Sequence, residues 1–581
     1  MSQPGDAFQP SPSRIDWLAA ALVLVAAVAF AFIRVQAVNL PWHLATARLA
    51  RSFGQWPARN TFSYTFPDHP VFQQYPIFQR AVFAAAQAGG WGALTALSGV
   101  GWIAVFLLFV RWAGPFRAGA ALNAFWTLAL CALWRRMMLR PDLFSMIALG
   151  IELLALDAYG GGGGPARGRR WALAFVPLAH FLWVGSHQLW PLSLLVQGLY
   201  VVHLLILRRR ASQRAEPVPA LAPVLVALAA AAALTLATPL GVEILWAPAR
   251  TATSLSVFRE HVAEFQRVWR MPLELWLALA TGVPAAWALV RARRLVEPFD
   301  VLLWLLSLAL VLAAVRGLMF FGVISVGVFQ RARARCLAAG APFVPGLGPA
   351  AGRAMRRIGF AFTALVALTA VQLRWLHPPL TLGGTQPGFG RAIGGWGEAM
   401  TAFVRRARPP GRVLNLGPAV GDLLILDAPG IPVFVDSRLE SYPVDFLRDV
   451  LRADADDATL AALIQRWDAR WIVAEHFRDS IRSRVVHLLS EGWAPVYVDS
   501  DYIVLVRDDA ESAAYLAGHR IDLRHAEPGD LVAAPAVLRA QQRGHFAHLL
   551  RAIGAGDRAD EQRRAALAEG GPVVLEAFDR P

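Results

Sequence analysis

Between residues 15 and 376 the chain returns repeatedly to apolar stretches close to the roughly 20 residues that a helix needs to cross a bilayer. They fall at about 15–35, 91–110, 118–134, 142–159, 171–187, 189–207, 219–239, 272–290, 299–315, 318–335 and 358–376, which makes about eleven spans. In lipid, backbone polar groups must be satisfied within the segment, so this region is expected to fold as a bundle of transmembrane helices. Composition agrees: 56% of the 581 residues are hydrophobic and only 17% charged, against roughly 45–50% and 25% in soluble proteins. The first stretch, Trp17 to Ile33, is longer than the apolar part of a signal peptide and lacks a convincing cleavage site, so it reads as an uncleaved anchor.

The net charge of +15 comes from Arg alone, because the chain has no Lys. That excludes a P-loop lysine, a Schiff-base lysine and a Ser-x-x-Lys nucleophile pair. Two cysteines in separate apolar segments, Cys131 and Cys336, imply neither a disulfide framework nor a Cys-based metal site. Before residue 383 there are roughly 33 Arg against 13 acids, and after it roughly 23 against 28, or about +20 and about −5. The positive charge thus belongs to the apolar region, and nucleic acid is not an expected partner. With the N-terminus inside, the Arg-dense connections, such as Arg208–Arg210 and Arg291–Arg294, fall on the inner side. An odd number of helices then puts the C-terminal region outside, which in a bacterium would be the periplasm or its equivalent.

The expected architecture is an α-helical polytopic membrane protein with a C-terminal soluble α/β domain and a helical tail. Residues 1–14 form an inner segment, 15–383 the membrane domain, 384–510 the α/β domain and 511–581 the tail. Two long outer loops, about 36–78 and 240–271, carry amphipathic stretches at His43–Leu49 and Phe258–Trp269 that read as interfacial helices. Gly160–Gly164 is a flexible inner turn, and Gly346, Gly348 and Gly352 lie in a loop without the spacing of a dinucleotide fingerprint. A Gly/Pro-rich linker runs to about Phe389. Strands are expected at Arg412–Asn415, Pro432–Asp436, Arg470–Ala474, Pro495–Val498 and Tyr502–Arg507, the last two as a hairpin around Asp499–Asp501. The tail reads as helices at Pro535–Ile553 and Asp560–Ala568. Asp422, Asp436, Arg438 and Glu440 suit either a metal or sugar site or a strand end followed by a turn.

The first outer loop reads Gln36-Ala37-Val38-Asn39-Leu40-Pro41-Trp42-His43-Leu44, then Asn60-Thr61-Phe62-Ser63-Tyr64-Thr65, then Gln73-Gln74-Tyr75-Pro76. With Arg140-Pro141-Asp142-Leu143-Phe144-Ser145, Thr238-Pro239-Leu240-Gly241 and Pro432-Val433-Phe434-Val435-Asp436-Ser437-Arg438, it resembles bacterial multipass proteins related to GT-C-fold glycosyltransferases. That superfamily includes protein mannosyltransferases and lipid A aminoarabinose transferases, and the resemblance runs in order over about residues 15–507. It implies a transferase that takes a sugar from a polyprenyl-phosphate donor on the outer face. In the superfamily an acid after the first helix serves as base or helps to bind a metal, and basic residues hold the lipid phosphate.

This chain departs from the pattern. Ala37, Asn39, Asn60 and Tyr75 stand where the relatives carry acids, and an amide is no general base near neutral pH. Between Asp16 and Asp142 the only acid is Asp68. Asp68 and His43 are therefore the two candidate bases, against a turn cap and an interfacial histidine respectively. Asn39, Trp42, Tyr64 and Tyr75 complete the first-loop motif. The resemblance implies no certain cofactor, since the usual ligands of a divalent metal are missing. Arg135, Arg136 and Arg140 crowd one short outer connection and Arg316 stands between two apolar helices, against the inward bias of positive charge. They suit the phosphate of a lipid-linked sugar or, equally, anionic headgroups of the bilayer. Glu152 is expected to pair within the bundle. Three readings follow: a transferase, a catalytically silent membrane scaffold whose α/β domain binds glycan or protein, and a transporter, which lacks support from any internal repeat.

Overall fold

The computed structural model describes residues 13–37, 39–114, 120–160, 170–211, 218–258, 262–344, 349–372, 386, 388–392, 396–529, 531 and 536–570. Most of the Gly160–Gly164 turn, Gly346, Gly348 and most of the linker lie outside them. The chain divides into two compact units, one of residues 1–35, 74–248 and 258–390, the other of 36–73, 249–257 and 391–581.

The first unit is helical. Among the described residues, seven helices are long and apolar enough to cross a membrane: Arg14–Ala31, Pro76–Ala113, Pro141–Gly160, Pro191–Ala211, Pro272–Arg291, Val315–Ala338 and Ala350–Val371. Four more apolar helices, Asn123–Leu133, Arg170–Val184, Leu221–Thr235 and Pro298–Ala313, are shorter. Each expected span falls on one of these helices, but by length and hydropathy seven qualify rather than eleven. The helix Pro76–Ala113 breaks at Gly89 and Gly90, and Gly90 sits at φ 58°, a left-handed conformation that a residue with a Cβ rarely adopts. The break separates a short first arm from the apolar stretch that the sequence marks at 91–110.

The helix Leu318–Ala338 is the most enclosed, with 89% of its apolar window buried, and it packs against Pro272–Arg291, Pro298–Ala313 and Ala120–Leu133. Arg316 lies just before it. Near its other end Arg331 pairs with Asp157 at 2.8 Å and Asp300 at 3.1 Å, and Arg335 with Glu297 at 2.8 Å. From Arg316 to Arg331 the chain rises about 22 Å at 1.5 Å per residue, so charged clusters flank an apolar length somewhat shorter than the roughly 30 Å hydrocarbon core of a bilayer. Exposed tryptophans mark both levels. Trp246, Trp269 and Trp276 stand at the Arg316 end, and Trp17, Trp171 and Trp287 at the other, as the aromatic belts of membrane proteins do. Between them Glu152 is fully buried, accepting from Ser193 Oγ and Gln197 Nε2, both at 2.6 Å, while Ser193 also bonds His180 Nδ1 at 2.8 Å. This is the pairing within the bundle that the sequence leads one to expect.

The second unit is built on a four-stranded sheet. Its strands are β1 (Arg412–Leu416), β2 (Ala469–Glu475), β3 (Trp493–Val498) and β4 (Tyr502–Arg507), in the order β1-β2-β4-β3. β1 and β2 run parallel, and the β3–β4 hairpin is antiparallel to β2. The expected strand at Pro432–Asp436 is reduced to a single bridge at Val433. The reason is its partner. Val433 N donates to Phe62 O at 2.9 Å and Tyr64 N to Val433 O at 3.2 Å, so this segment pairs with the first loop instead of joining the sheet. Tyr64 continues the attachment by donating its hydroxyl to Val413 O at 2.7 Å.

The helix Leu40–Phe53 buries Leu40 to Ala47 and packs against Pro418–Asp427, so protein covers the apolar side that the sequence assigns to lipid. In the second amphipathic stretch the helix ends at Phe258 instead of starting there, and short 3-10 turns follow at Ala263–Phe265 and Val268–Arg270. Asp436 and Arg438 form a buried pair at 2.7 Å, which Asn60 Oδ1 and the Tyr442 hydroxyl extend at 2.6 and 2.7 Å. Burial and the neighbouring Asp436 push the Asp422 carboxyl well above its ordinary value, while it accepts from Ser437 N at 3.0 Å. At the C-terminal side, Ala536–Ala552 and Gly556–Gly570 pair as a helical hairpin, and His545 holds it to Asp501 at 2.6 Å.

Candidate functional site

In the first unit, three of the four arginines singled out by the sequence meet around two carboxylates. The helix Ala120–Leu133 ends in a tight connection, in which Arg136 N donates to Leu133 O at 2.7 Å and Trp102 Nε1 pins Met138 O at 3.0 Å. Pro141 then starts the next helix and sets Asp142 in its first turn, where the helix dipole favours an acid. Arg136 bonds both Asp142 and Glu264, and Arg140 bonds Glu264 at 3.1 Å. Arg316 approaches from another element: its turn is tied to the Glu264 turn through Val315 N donating to Gln266 O at 2.8 Å. Its guanidinium lies over the Phe265 ring at 5.4 Å and 3.8 Å from Asp142 Oδ1. Arg135 stands apart, pairing with Glu274 at 2.9 Å.

Three cations against two anions leave this cluster with an excess positive charge. Burial works against the charge of Arg136, but Asp142 and Glu264 outweigh it and raise its pKa. For Arg140, burial prevails over Glu264 and lowers the pKa, though an arginine stays protonated at any ordinary pH. Burial would raise Glu264, yet Arg136 and Arg140 hold it down at about 2. The Nε atoms of Arg136, Arg140 and Arg316 are buried without a hydrogen-bond partner among the described residues. An under-compensated group of guanidinium forks is suited to a phosphate-like anion, whose oxygens match their geometry. Its sign is wrong for a divalent cation, and among the described residues no three His, Cys, Asp or Glu side chains gather as a metal site.

His187 and Ser145 complete the surroundings. His187 Nε2 is 3.4 Å from Asp142 Oδ1, and its Nδ1 is 2.7 Å from Ser145 Oγ. Burial lowers the His187 pKa to about 4, so the ring is neutral near pH 7. Ser145 closes the Arg140–Ser145 motif, whereas neither His187 nor Glu264 stands out in the sequence.

The two candidate bases and the first-loop motif residues fall in the second unit, apart from Tyr75, which lies buried in the first just before Pro76. Asp68 is exposed and bound to the equally exposed Arg59 at 2.5 Å. His43 is buried and stacked on Trp42, with ring centroids 3.6 Å apart. Asn39 takes the N-cap position of the helix Leu40–Phe53 without a capping hydrogen bond. Asn60 and Tyr64 are engaged in holding the loop to the sheet unit, by the contacts described above.

No family model matches the chain, and no curated protein matches it by sequence. Solved structures do match. The oligosaccharyltransferase AglB from Archaeoglobus fulgidus, in complex with an inhibitory peptide and a dolichol-phosphate, aligns with TM-score 0.52 at 12% identity, over 82% of this chain and 72% of that one. Its apo form aligns with TM-score 0.52 at 9% identity, over 86% and 75%. The fold is that of the GT-C glycosyltransferases. ArnT from Cupriavidus metallidurans bound to undecaprenyl phosphate aligns with TM-score 0.46 at 14% identity, over 86% of this chain and 99% of that one. Within this GT-C fold the arginine cluster occupies one end of the helical unit, at the level of Trp246, Trp269 and Trp276.

Proposed function

We propose that the chain is a GT-C-like membrane glycosyltransferase that takes a sugar from a polyprenyl-phosphate donor and passes it to an acceptor on the outer face of the bacterial inner membrane. One observation carries the reading: Arg136, Arg140 and Arg316 converge on only two carboxylates and leave a buried, positively charged site at the end of the bundle. In sugar transfer the bond from the anomeric carbon to the phosphate oxygen breaks, and the lipid phosphate leaves with both electrons. Guanidinium groups already in place stabilise that developing charge, which typically contributes ~3–4 kcal/mol for each donor. An acceptor hydroxyl needs a base as it attacks. Asp68, the one acid left in the first loop, and His43, kept from the motif, are the candidates for that role. Glu264 is one of the two carboxylates within the arginine cluster, and it becomes a stronger base once a phosphate draws Arg136 and Arg140 away from it.

A silent scaffold has its own support, because Asn60 holds an amide where the relatives carry an acid and uses it to bind Arg438. Reconstitution in nanodiscs with a polyprenyl-phosphate sugar separates the two. The transferase reading expects sugar transfer, lost about a hundredfold in Arg316→Ala and abolished in Asp68→Asn if that carboxylate is the base. Binding of polyprenyl phosphate without any transfer would favour the scaffold, and transfer unaltered in both variants would sink the site assignment.

A further inference from the structure

Asp142 Oδ1 has two suitors and a hydrogen bond to neither. Arg316 Nη2 is 3.8 Å away on one side and His187 Nε2 is 3.4 Å away on the other. The other carboxylate oxygen is firmly taken by Arg136. All the nearby groups are enclosed: Asp142 is 2% exposed, His187 5% and Ser145 0%. In this setting the histidine has one sensible tautomer. A proton on Nδ1 would turn the Nε2 lone pair toward the carboxylate, which is repulsive. With Ser145 Oγ–H donating to Nδ1 at 2.7 Å, the ring proton sits on Nε2 and points at Asp142. The Ser145 hydroxyl thus fixes the ring so that it offers Asp142 a neutral donor.

Arg316 is the least secured of the three cations. Its contact to Asp142 is the longest, its Nε has no partner among the described residues, and it rests over the face of Phe265. Moving it to an anion would take away one of the two groups that face Asp142 Oδ1, in a buried place where an unsatisfied carboxylate oxygen is costly.

We propose that His187, set by Ser145, is a positioning residue: it takes over the Asp142 oxygen when Arg316 moves to a lipid phosphate, and so frees that arginine to bind. The proposal rests on the phosphate-binding reading above and adds the device that lets the cluster open. No covalent step or proton transfer is involved. The imidazole shifts by a few tenths of an ångström to close a 3.4 Å gap, and the arginine rotates away.

A double-mutant cycle tests it, with undecaprenyl phosphate in nanodiscs as the probe. His187→Ala should weaken binding about tenfold when Arg316 is present, and should have almost no effect in the Arg316→Ala background, because the two residues act as a coupled pair. His187→Gln, which keeps an N–H donor, should restore most of the affinity. Ser145→Ala, a smaller change that spares the fold, should show the same dependence on Arg316 with a loss of about threefold. Equal losses from His187→Ala and Ser145→Ala in both backgrounds would overturn the proposal and leave them a merely structural role. If Arg316→Ala itself leaves binding unchanged, the phosphate-binding reading fails and the proposal with it.

Discussion

In the cluster three arginines face two carboxylates, and Glu264→Gln would leave only Asp142 to balance them. Two opposite effects should follow. The arginines hold Glu264 down from 4.5 to about 2, a gap worth ~3 kcal/mol before screening and roughly 1–2 kcal/mol for a side chain that is 31% exposed. The variant should be less stable by that amount. A phosphate bridging Arg136 and Arg140 would lie about 6 Å from the lost charge, where repulsion amounts to between ~1.4 and ~2.8 kcal/mol for effective dielectric constants of about 40 and 20. The affinity for undecaprenyl phosphate should therefore rise about tenfold or more at low salt, and the gain should shrink at high ionic strength. Titration of the lipid into nanodiscs at two salt concentrations, beside thermal unfolding of the same samples, reads both effects. Loss of stability with unchanged or weaker affinity would refute the site as an anion receptor and leave Glu264 a structural counter-ion.

Acid should loosen the same region by a second route. The His187 pKa falls from 6.5 to about 4 on folding, so the unfolded chain takes up protons that the folded one refuses, and the stability gained is present above pH 6.5 and lost toward pH 4. Melting temperatures of wild type and His187→Gln should lie closest above pH 6.5 and separate toward pH 4 as wild type falls further, and parallel curves would speak against a buried neutral imidazole. In the second unit, Asn60→Ala removes the 2.6 Å bond from Arg438 and the 3.3 Å bond to Ser441 O. It should cost about 1–3 kcal/mol and expose the first loop to limited proteolysis, whereas a protease pattern identical to wild type would contradict the pinning of that loop.

The helices were the most legible part of the chain, because apolar length speaks through composition alone, and every stretch from Trp17 to Val371 that reads as a span is helical. Arg136, Arg140 and Arg316 were legible too, since a charge between apolar segments contradicts its surroundings. Glu264 was not. It lies in a polar stretch with other charges, and only the turn at Ala263–Phe265 sets it beside residues from 124 and 128 positions earlier. His187 closes the apolar stretch at 171–187, and nothing in its neighbourhood along the chain marks it. The segment at Pro432–Asp436 has the β-branched and aromatic character of a strand, but its partner is a loop far away in the sequence, and no local pattern carries that information. Asn60 looked like a lost acid. In the structure it is an acceptor for Arg438, a role an amide fills well.

The attachment of the first loop to the sheet unit has a consequence for how the chain matures. Ser63 reaches Phe434 O across 371 residues, and most of the membrane helices are made in between. At a synthesis rate of about 5–20 residues per second, the loop waits roughly 20–75 seconds for the segment that completes it. During that interval Phe62, Tyr64 and Phe66 lack the partners that the later segment supplies, Arg438, Val433, Phe446 and Trp467 among them. The loop is thus a customer for chaperones long before it is a structural element, and a ribosome stalled before residue 434 would leave an inserted bundle carrying an unfinished, protease-sensitive strand.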